Sequence, residues 1–265
     1  MSSTDPPRVH VEPHPHGVVL LTLDDERRKN VMTPELGDAF ATAISALRAD
    51  TRSGVVRAVV VTGAGGAFSS GGDLAMLERL RTLSFTESHD FMLGFYRRYL
   101  SVLDVAVPTV AAVRGPAIGA GLAFALACDL VVLAEDAKLA ANFVSLGLHP
   151  GMGATYLLPA RCGAERAREL LLTGRRFDGT EAVRMGLGLT AVPDNEVLPR
   201  ALALATAIAT NGPLAVRATK QSLAVDRVAL DRALAREAFA QAESYTSAEL
   251  REGLAAAKER RSPKW

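Results

Sequence analysis

Apolar positions along the chain follow two rhythms, and the two alternate. Residues 17–23, 56–62 and 108–113 are near-continuous apolar runs, the pattern of strands in a sheet covered on both faces. Residues 129–134 and 188–192 repeat it, and residues 138–143 predict a shorter extended piece. Between these runs the apolar spacing becomes helical. Thr33 followed by Pro34 opens a helix over residues 34–48, with Leu36, Phe40, Ile44 and Leu47 in helical register. Residues 73–83 and 86–103 predict two more helices, the second with Phe91, Leu93, Phe95, Tyr96 and Leu100 for apolar contact. Helices follow over 122–128, over 154–158 after the turn at 150–153, over 164–172 up to Gly174, and over 180–185. Strands alternating with helices in this way predict an α/β fold. After Pro193 the pattern is helical only, over residues 197–210, 214–225, 228–242 and 247–260, broken by Asn211-Gly212-Pro213. A helical tail on an α/β body reads as a subunit-packing element; the alanines at 201, 203, 205 and 207 suit close helix approach within or between chains.

Composition narrows the class. The chain has 265 residues, 49% of them apolar, and a net charge of +1, which predicts a packed globular protein with no reason to seek nucleic acid or a membrane surface. No apolar run has the length of a membrane span, and residues 1–15 are polar and proline-rich, without the apolar centre of a signal peptide, so a cytoplasmic location is expected. Residues 1–16 are expected to be a flexible tail, which is preferred over a metal site at His14-Pro15-His16. Cys128 and Cys162 are too far apart for a Cys-x-x-Cys pair and read as reduced structural thiols.

Two glycine-rich stretches carry the chemistry. The first, Ala67-Phe68-Ser69-Ser70-Gly71-Gly72-Asp73-Leu74, follows a strand; the second, Gly115 to Ala123, follows another and runs into an apolar helix. Small residues there let main chain approach a ligand, and amides at a helix N-terminus favour negative charge. Thr62-Gly63-Ala64-Gly65-Gly66 invites a dinucleotide-binding reading, but Phe68 occupies the third glycine position and no helix follows directly. A turn into the first stretch is preferred.

These two stretches, followed by Leu146 to Gly153, resemble the ordered motifs of the crotonase (enoyl-CoA hydratase/isomerase) superfamily over nearly the whole chain. The resemblance implies a spiral of ββα repeats over residues 17–195 and a helical trimerisation region over 196–265, in a homotrimer or hexamer. It also implies that the amides of Gly72 and Ala120 hold a thioester carbonyl oxygen and stabilise the enolate. Ser70, Gly71, Asp73, Leu74 and Val31 would border the acyl site, and Arg28 and Lys29 the rim for coenzyme A, which enters as part of the substrate rather than as a tightly bound cofactor. Lys264 and Trp265 match a terminal family motif that reaches toward a CoA site, often a neighbour's.

The family's two hydratase glutamates fall on Ala123 and Phe143, neither of which titrates, so hydration by the family mechanism is not expected. His149 is a candidate acid or base, against the alternative of a solvent-facing loop histidine. Asp73 reads as a helix cap and Asp129 as structural, while Asn142, Ser145 and Tyr156 could polarise a substrate group. The leading expectation is an acyl-CoA enzyme working through an enolate; the alternative is an acyl-CoA binding protein with little turnover.

Overall fold

The computed structural model describes residues 6–265. Its first element, β1 (Arg8–His14), pairs antiparallel with β2 (Val18–Asp24) along its full length. This corrects the expected flexible tail over residues 1–16, of which residues 1–5 lie outside the described residues. Most side chains of β1 are exposed, so it is held by main-chain pairing at a sheet edge, and such a strand leaves little apolar signature.

Thr33 then caps α1 (Pro34–Ser53): its side chain accepts from the Leu36 amide at 3.2 Å, and the proline fills the first turn. The helix outruns its predicted end because the stop comes only at Gly54, with φ 86°. The buried β3 (Ala58–Gly63) leads to α2 (Leu74–Leu80) and α3 (Phe85–Leu100), the latter opened by a Ser84–Glu87 capping box. Next come β4 (Thr109–Val113), β5 (Pro116–Ile118), α4 (Ala120–Ala127), β6 (Leu130–Ala134) and β7 (Lys138–Ala140). They are followed by α5 (Ala154–Cys162), α6 (Ala164–Thr173), β8 (Arg176–Phe177), α7 (Gly179–Met185) and β9 (Thr190–Val192). The chain ends in α8 (Val197–Ala209), α9 (Pro213–Leu223), α10 (Arg227–Thr246) and α11 (Ala248–Glu259).

The larger sheet has the order β1-β2-β3-β4-β6-β9, parallel throughout except at its β1 edge. A smaller sheet, β5-β7-β8, lies beside the path of the same turns, since β4 leads to β5 and β6 leads to β7. Parallel bridges between Met32 and Gly72 and between Ser69 and Ala117 continue that second layer back through the earlier turns. Each turn of the spiral therefore supplies a long strand to one layer and a short extended piece to the other. The functional stretches leave the second layer.

Burial fixes this arrangement. Every residue of α4 is buried, which explains an apolar sequence without a polar face. Phe124 of α4 packs edge-on against Phe40 of α1 at 5.0 Å between ring centroids, and lies 5.6 Å from Phe68 of the first glycine-rich stretch. The α4 helix is thus clamped to the segment with which it shares the site. In the C-terminal region α8 lies against β3, β4 and β6, whereas α9 buries none of its residues.

Candidate active site

The two stretches are locked together before any ligand is considered. Ser69 donates its amide to the Pro116 carbonyl at 2.9 Å, and its own carbonyl accepts from Ile118 at 3.1 Å. Gly71 has φ 91°, and a Cβ there would stand 2.5 Å from the Ile118 carbonyl oxygen; a Cβ on Gly121 would stand 2.8 Å from Ser69 Cβ. Side chains at either position would force the stretches apart. Asn30 braces the first one from behind: its Nδ2 donates to the Ala67 and Ala64 carbonyls at 2.7 and 3.0 Å, and its carbonyl accepts from Ser69 Oγ at 2.8 Å.

Several main-chain amides of the two stretches have no acceptor among the described residues, those of Gly72, Leu74, Ala120, Gly121 and Leu122, and of these Gly72 and Ala120 line the cavity nearest the pairing of the stretches. Phe68, Ser69 and Ser70 donate to carbonyls, Gly71 donates to Ser69 Oγ, and Asp73 donates to the Met32 carbonyl. Gly72, within that run, has no acceptor among the described residues. In the second stretch Ile118 and Gly119 donate to Ser69 and Ala140, while Ala120, the first residue of α4, has no acceptor. Ser69 and Ala117 are register partners, and each free amide lies three residues beyond its partner. Both residues line the same cavity, of about 480 Å³. Amide groups left without acceptors at a cavity wall are donors available to a ligand oxygen.

Arg28, Val31, Ser70, Gly71, Asp73, Leu74 and Phe143 line this cavity as well, together with Met76, Met92 and Met152. Arg28 is already engaged, donating from Nε to Asp25 at 2.8 Å and from Nη1 to Asp73 at 3.2 Å; these carboxylates, Asp25 first, raise its pKa. Asp73 also caps α2, accepting from the Ala75 amide at 2.8 Å. Ala123 is buried outside the lining, and Phe143 presents an aromatic wall. Neither position can hold or deliver a proton.

Other expected residues lie elsewhere. His149 does not line the cavity, although its neighbour Leu148 does. Its ring Nδ1 is 2.7 Å from the Pro150 carbonyl and so carries the hydrogen. Its main chain is held by Ser244 Oγ on the amide and Gln241 Nε2 on the carbonyl. Lys29 is exposed, in a left-handed turn with φ 56°, its carbonyl accepting from the Ser70 amide. Lys264 and Trp265 are off the cavity of their own chain; the Lys264 amide donates to Glu252, and Trp265 is 67% exposed. Cys128 and Cys162 are free thiols, and burial pushes Cys128 up to about 12, leaving it an inert neutral thiol. Among the described residues, no cluster of three or more His, Cys, Asp or Glu could hold a metal, and no helix is long and apolar enough to cross a membrane.

The structure adds Tyr96 and Gln241 to the site. The buried Tyr96 hydroxyl donates to Gln241 Oε1 at 2.9 Å, tying α3 to α10 across the cavity wall. Desolvation, followed by the nearby Glu237, pushes the phenol well above its ordinary pKa, so it stays protonated. Glu237 is itself buried and accepts from the amides of Gly153 and Thr155 and from Thr155 Oγ1. The sequence signal for both was a polar residue on a buried helix face, since Glu237 and Gln241 share a face with Leu230, Leu234 and Tyr245.

The fold is a spiral whose successive turns bring acceptor-free amides to one apolar cavity, a class of protein with main-chain donors available to a ligand. Comparison with known proteins gives that class its family. The family model described as Enoyl-CoA hydratase/isomerase matches residues 14–265. A Thermus thermophilus protein provisionally named enoyl-CoA hydratase is 39% identical over 249 residues, covering 94% of this chain and 97% of that one. Human mitochondrial methylglutaconyl-CoA hydratase is 33% identical over 275 residues, covering all of this chain and 78% of that one. An enoyl-CoA hydratase/isomerase structure from Pseudoalteromonas atlantica superposes with a TM-score of 0.83 at 30% identity, covering 97% of this chain and 99% of that one. The chain belongs to the enoyl-CoA hydratase/isomerase family of acyl-CoA enzymes.

Proposed function

We propose that this protein binds an acyl-CoA thioester with its carbonyl oxygen between the amides of Gly72 and Ala120, and carries out a reaction that passes through the thioester enolate without the two glutamates of a hydratase. The observation that carries this reading is the pair of free amides on one cavity wall. Charge accumulates on the thioester oxygen only as the enolate forms, so donors fixed in advance stabilise that state more than the bound substrate. Hydration requires a carboxylate to activate water and an acid at Cα, and Ala123 and Phe143 supply neither. Isomerisation, and lyase reactions other than water addition, can both pass through that enolate. The direct test is exchange of the α-protons of butyryl-CoA in D2O, followed by ¹H NMR. Catalysed exchange supports enolate formation; binding without exchange would leave the binding-protein reading standing.

That second reading has its own supporting observation. The carboxylate on the cavity wall, Asp73, is occupied by a helix cap and by Arg28, so it is not poised to move a proton. Assembly into trimers or hexamers is proposed from the C-terminal region. There α9 buries none of its residues, and Leu214 and Leu223 are 75% and 79% exposed, an apolar surface suited to cover by another copy. A neighbour's Lys264 and Trp265 would then be available to the nucleotide end of coenzyme A.

A further inference from the structure

We propose that Asn142 is a substrate-contacting residue that selects acyl groups bearing a neutral oxygen on the carbon β to the thioester; the inference rests on the acyl-CoA reading above. Asn142 lines the cavity and is partly buried, and its backbone carbonyl is fixed by the Ser145 amide at 3.1 Å. Its side-chain carboxamide, in contrast, engages no other described group of the chain. The other polar side chains on the wall are committed. Arg28 is held by Asp25 and Asp73, Ser70 Oγ donates to the Arg28 carbonyl, Asp73 caps α2, and Tyr96 and Gln241 bond to each other.

Position gives the free carboxamide its meaning. Asn142 Oδ1 lies 3.7 Å from where a Cβ on Gly119 would stand, and Gly119 directly precedes the free amide of Ala120. A thioester oxygen held at Ala120 therefore brings the first carbons of its acyl chain beside this group. A carboxamide offers both donors and an acceptor, so it can pair with a hydroxyl or an oxo oxygen. It carries no charge, and Arg28, the cation on the wall, is already neutralised, which disfavours a carboxylate at this point. An acyl chain without an oxygen here would leave the carboxamide facing hydrocarbon, with a partly unmet polar group as the cost.

Calorimetric titration of the full chain with butyryl-CoA and 3-hydroxybutyryl-CoA tests this, with the ratio of the two dissociation constants as the readout. The wild type is expected to favour the hydroxylated ligand about tenfold, the return of one to two hydrogen bonds away from water. In Asn142→Ala and in the volume-matched Asn142→Leu the ratio should fall to within about twofold of unity, an effect that general loosening of the cavity would not produce. A third variant, Leu146→Ala, alters the wall elsewhere and should keep the ratio. Equal affinities in the wild type, or a tenfold preference that persists in both Asn142 variants, would overturn the assignment alone. Failure of both ligands to bind the wild type would remove the acyl-CoA reading and this assignment with it.

Discussion

Proline at residue 120 separates the chemistry of the free amide from the architecture that holds it. Ala120 is the first residue of α4, where the N–H has no intrahelical acceptor, so proline removes the donor without breaking a helical hydrogen bond. The preceding Gly119 has φ 54° and ψ −114°, away from the helical region that a following proline forbids. Removing one oxyanion donor costs about 3 kcal/mol at the transition state, roughly 10²–10³ in rate. The assay is α-proton exchange of saturating butyryl-CoA in D2O, with binding measured alongside because the pyrrolidine ring occupies space beside the oxygen site. Melting temperature controls for the fold: a change of about 2 °C corresponds to about 1 kcal/mol at this chain length. A variant of Ala120→Pro that melts normally, binds ligand and exchanges within tenfold of wild type would refute the placement of this amide on the carbonyl.

Four further outcomes are expected. Crotonyl-CoA hydration, followed by loss of the enoyl absorbance, should run below about 0.1 s⁻¹, a typical turnover reduced by the roughly hundredfold or more that acid–base groups contribute; turnover near 10 s⁻¹ would show that carboxylates at 123 and 143 are dispensable. Asn30→Ala leaves the Asp25 amide and the Ala64 and Ala67 carbonyls without their partner, and should destabilise by about 2–4 kcal/mol in urea titration, with an unchanged midpoint ruling out the bracing role. Burial raises Glu237 from 4.5 to about 7, so the folded chain holds a proton the unfolded chain has released. Stability should therefore fall by about 3 kcal/mol as pH rises from about 4.5 to 7. Glu237→Gln should flatten that part of the melting profile, and parallel profiles would remove Glu237 as its cause. The emission of Trp265, the sole tryptophan, should shift to the blue on dilution-reversible assembly or on addition of CoA; emission insensitive to both would contradict its placement against a neighbour's nucleotide site.

What was legible in the sequence followed the physics that writes itself into residue type. Continuous apolar runs marked β3, β4 and β6 because both faces of those strands are covered, and Thr33-Pro34 marked the start of α1 because a cap requires those side chains. The edge strand β1 was not legible: its order comes from main-chain groups, which every residue possesses. His149 drew attention as an ionisable residue in a motif loop, but sequence cannot say on which side of a turn a ring lies. The partnership of Tyr96 with Gln241 was hidden for the opposite reason, since it joins positions 145 residues apart and neither stands in a motif.

The glycines show how far letters can go toward chemistry. Gly71 is required by conformation and by its approach to Ile118, and sequence could suggest as much. Gly72 is different. A Cβ there would meet nothing within 4 Å, so neither a tight approach nor a left-handed turn compels glycine at that position. What distinguishes it is the missing acceptor for its amide, a property set by Met32, whose main chain engages the carbonyl of residue 71 and the amide of residue 73 and passes over the one between. A missing acceptor recurs one spiral turn later, where α4 begins at Ala120 and its first amide has no turn before it to bond. Parallel pairing of Ser69 with Ala117 sets each omission three residues beyond one register pair, so two different local causes, a strand bridge and a helix start, place both donors of the proposed oxyanion site on neighbouring turns of the spiral.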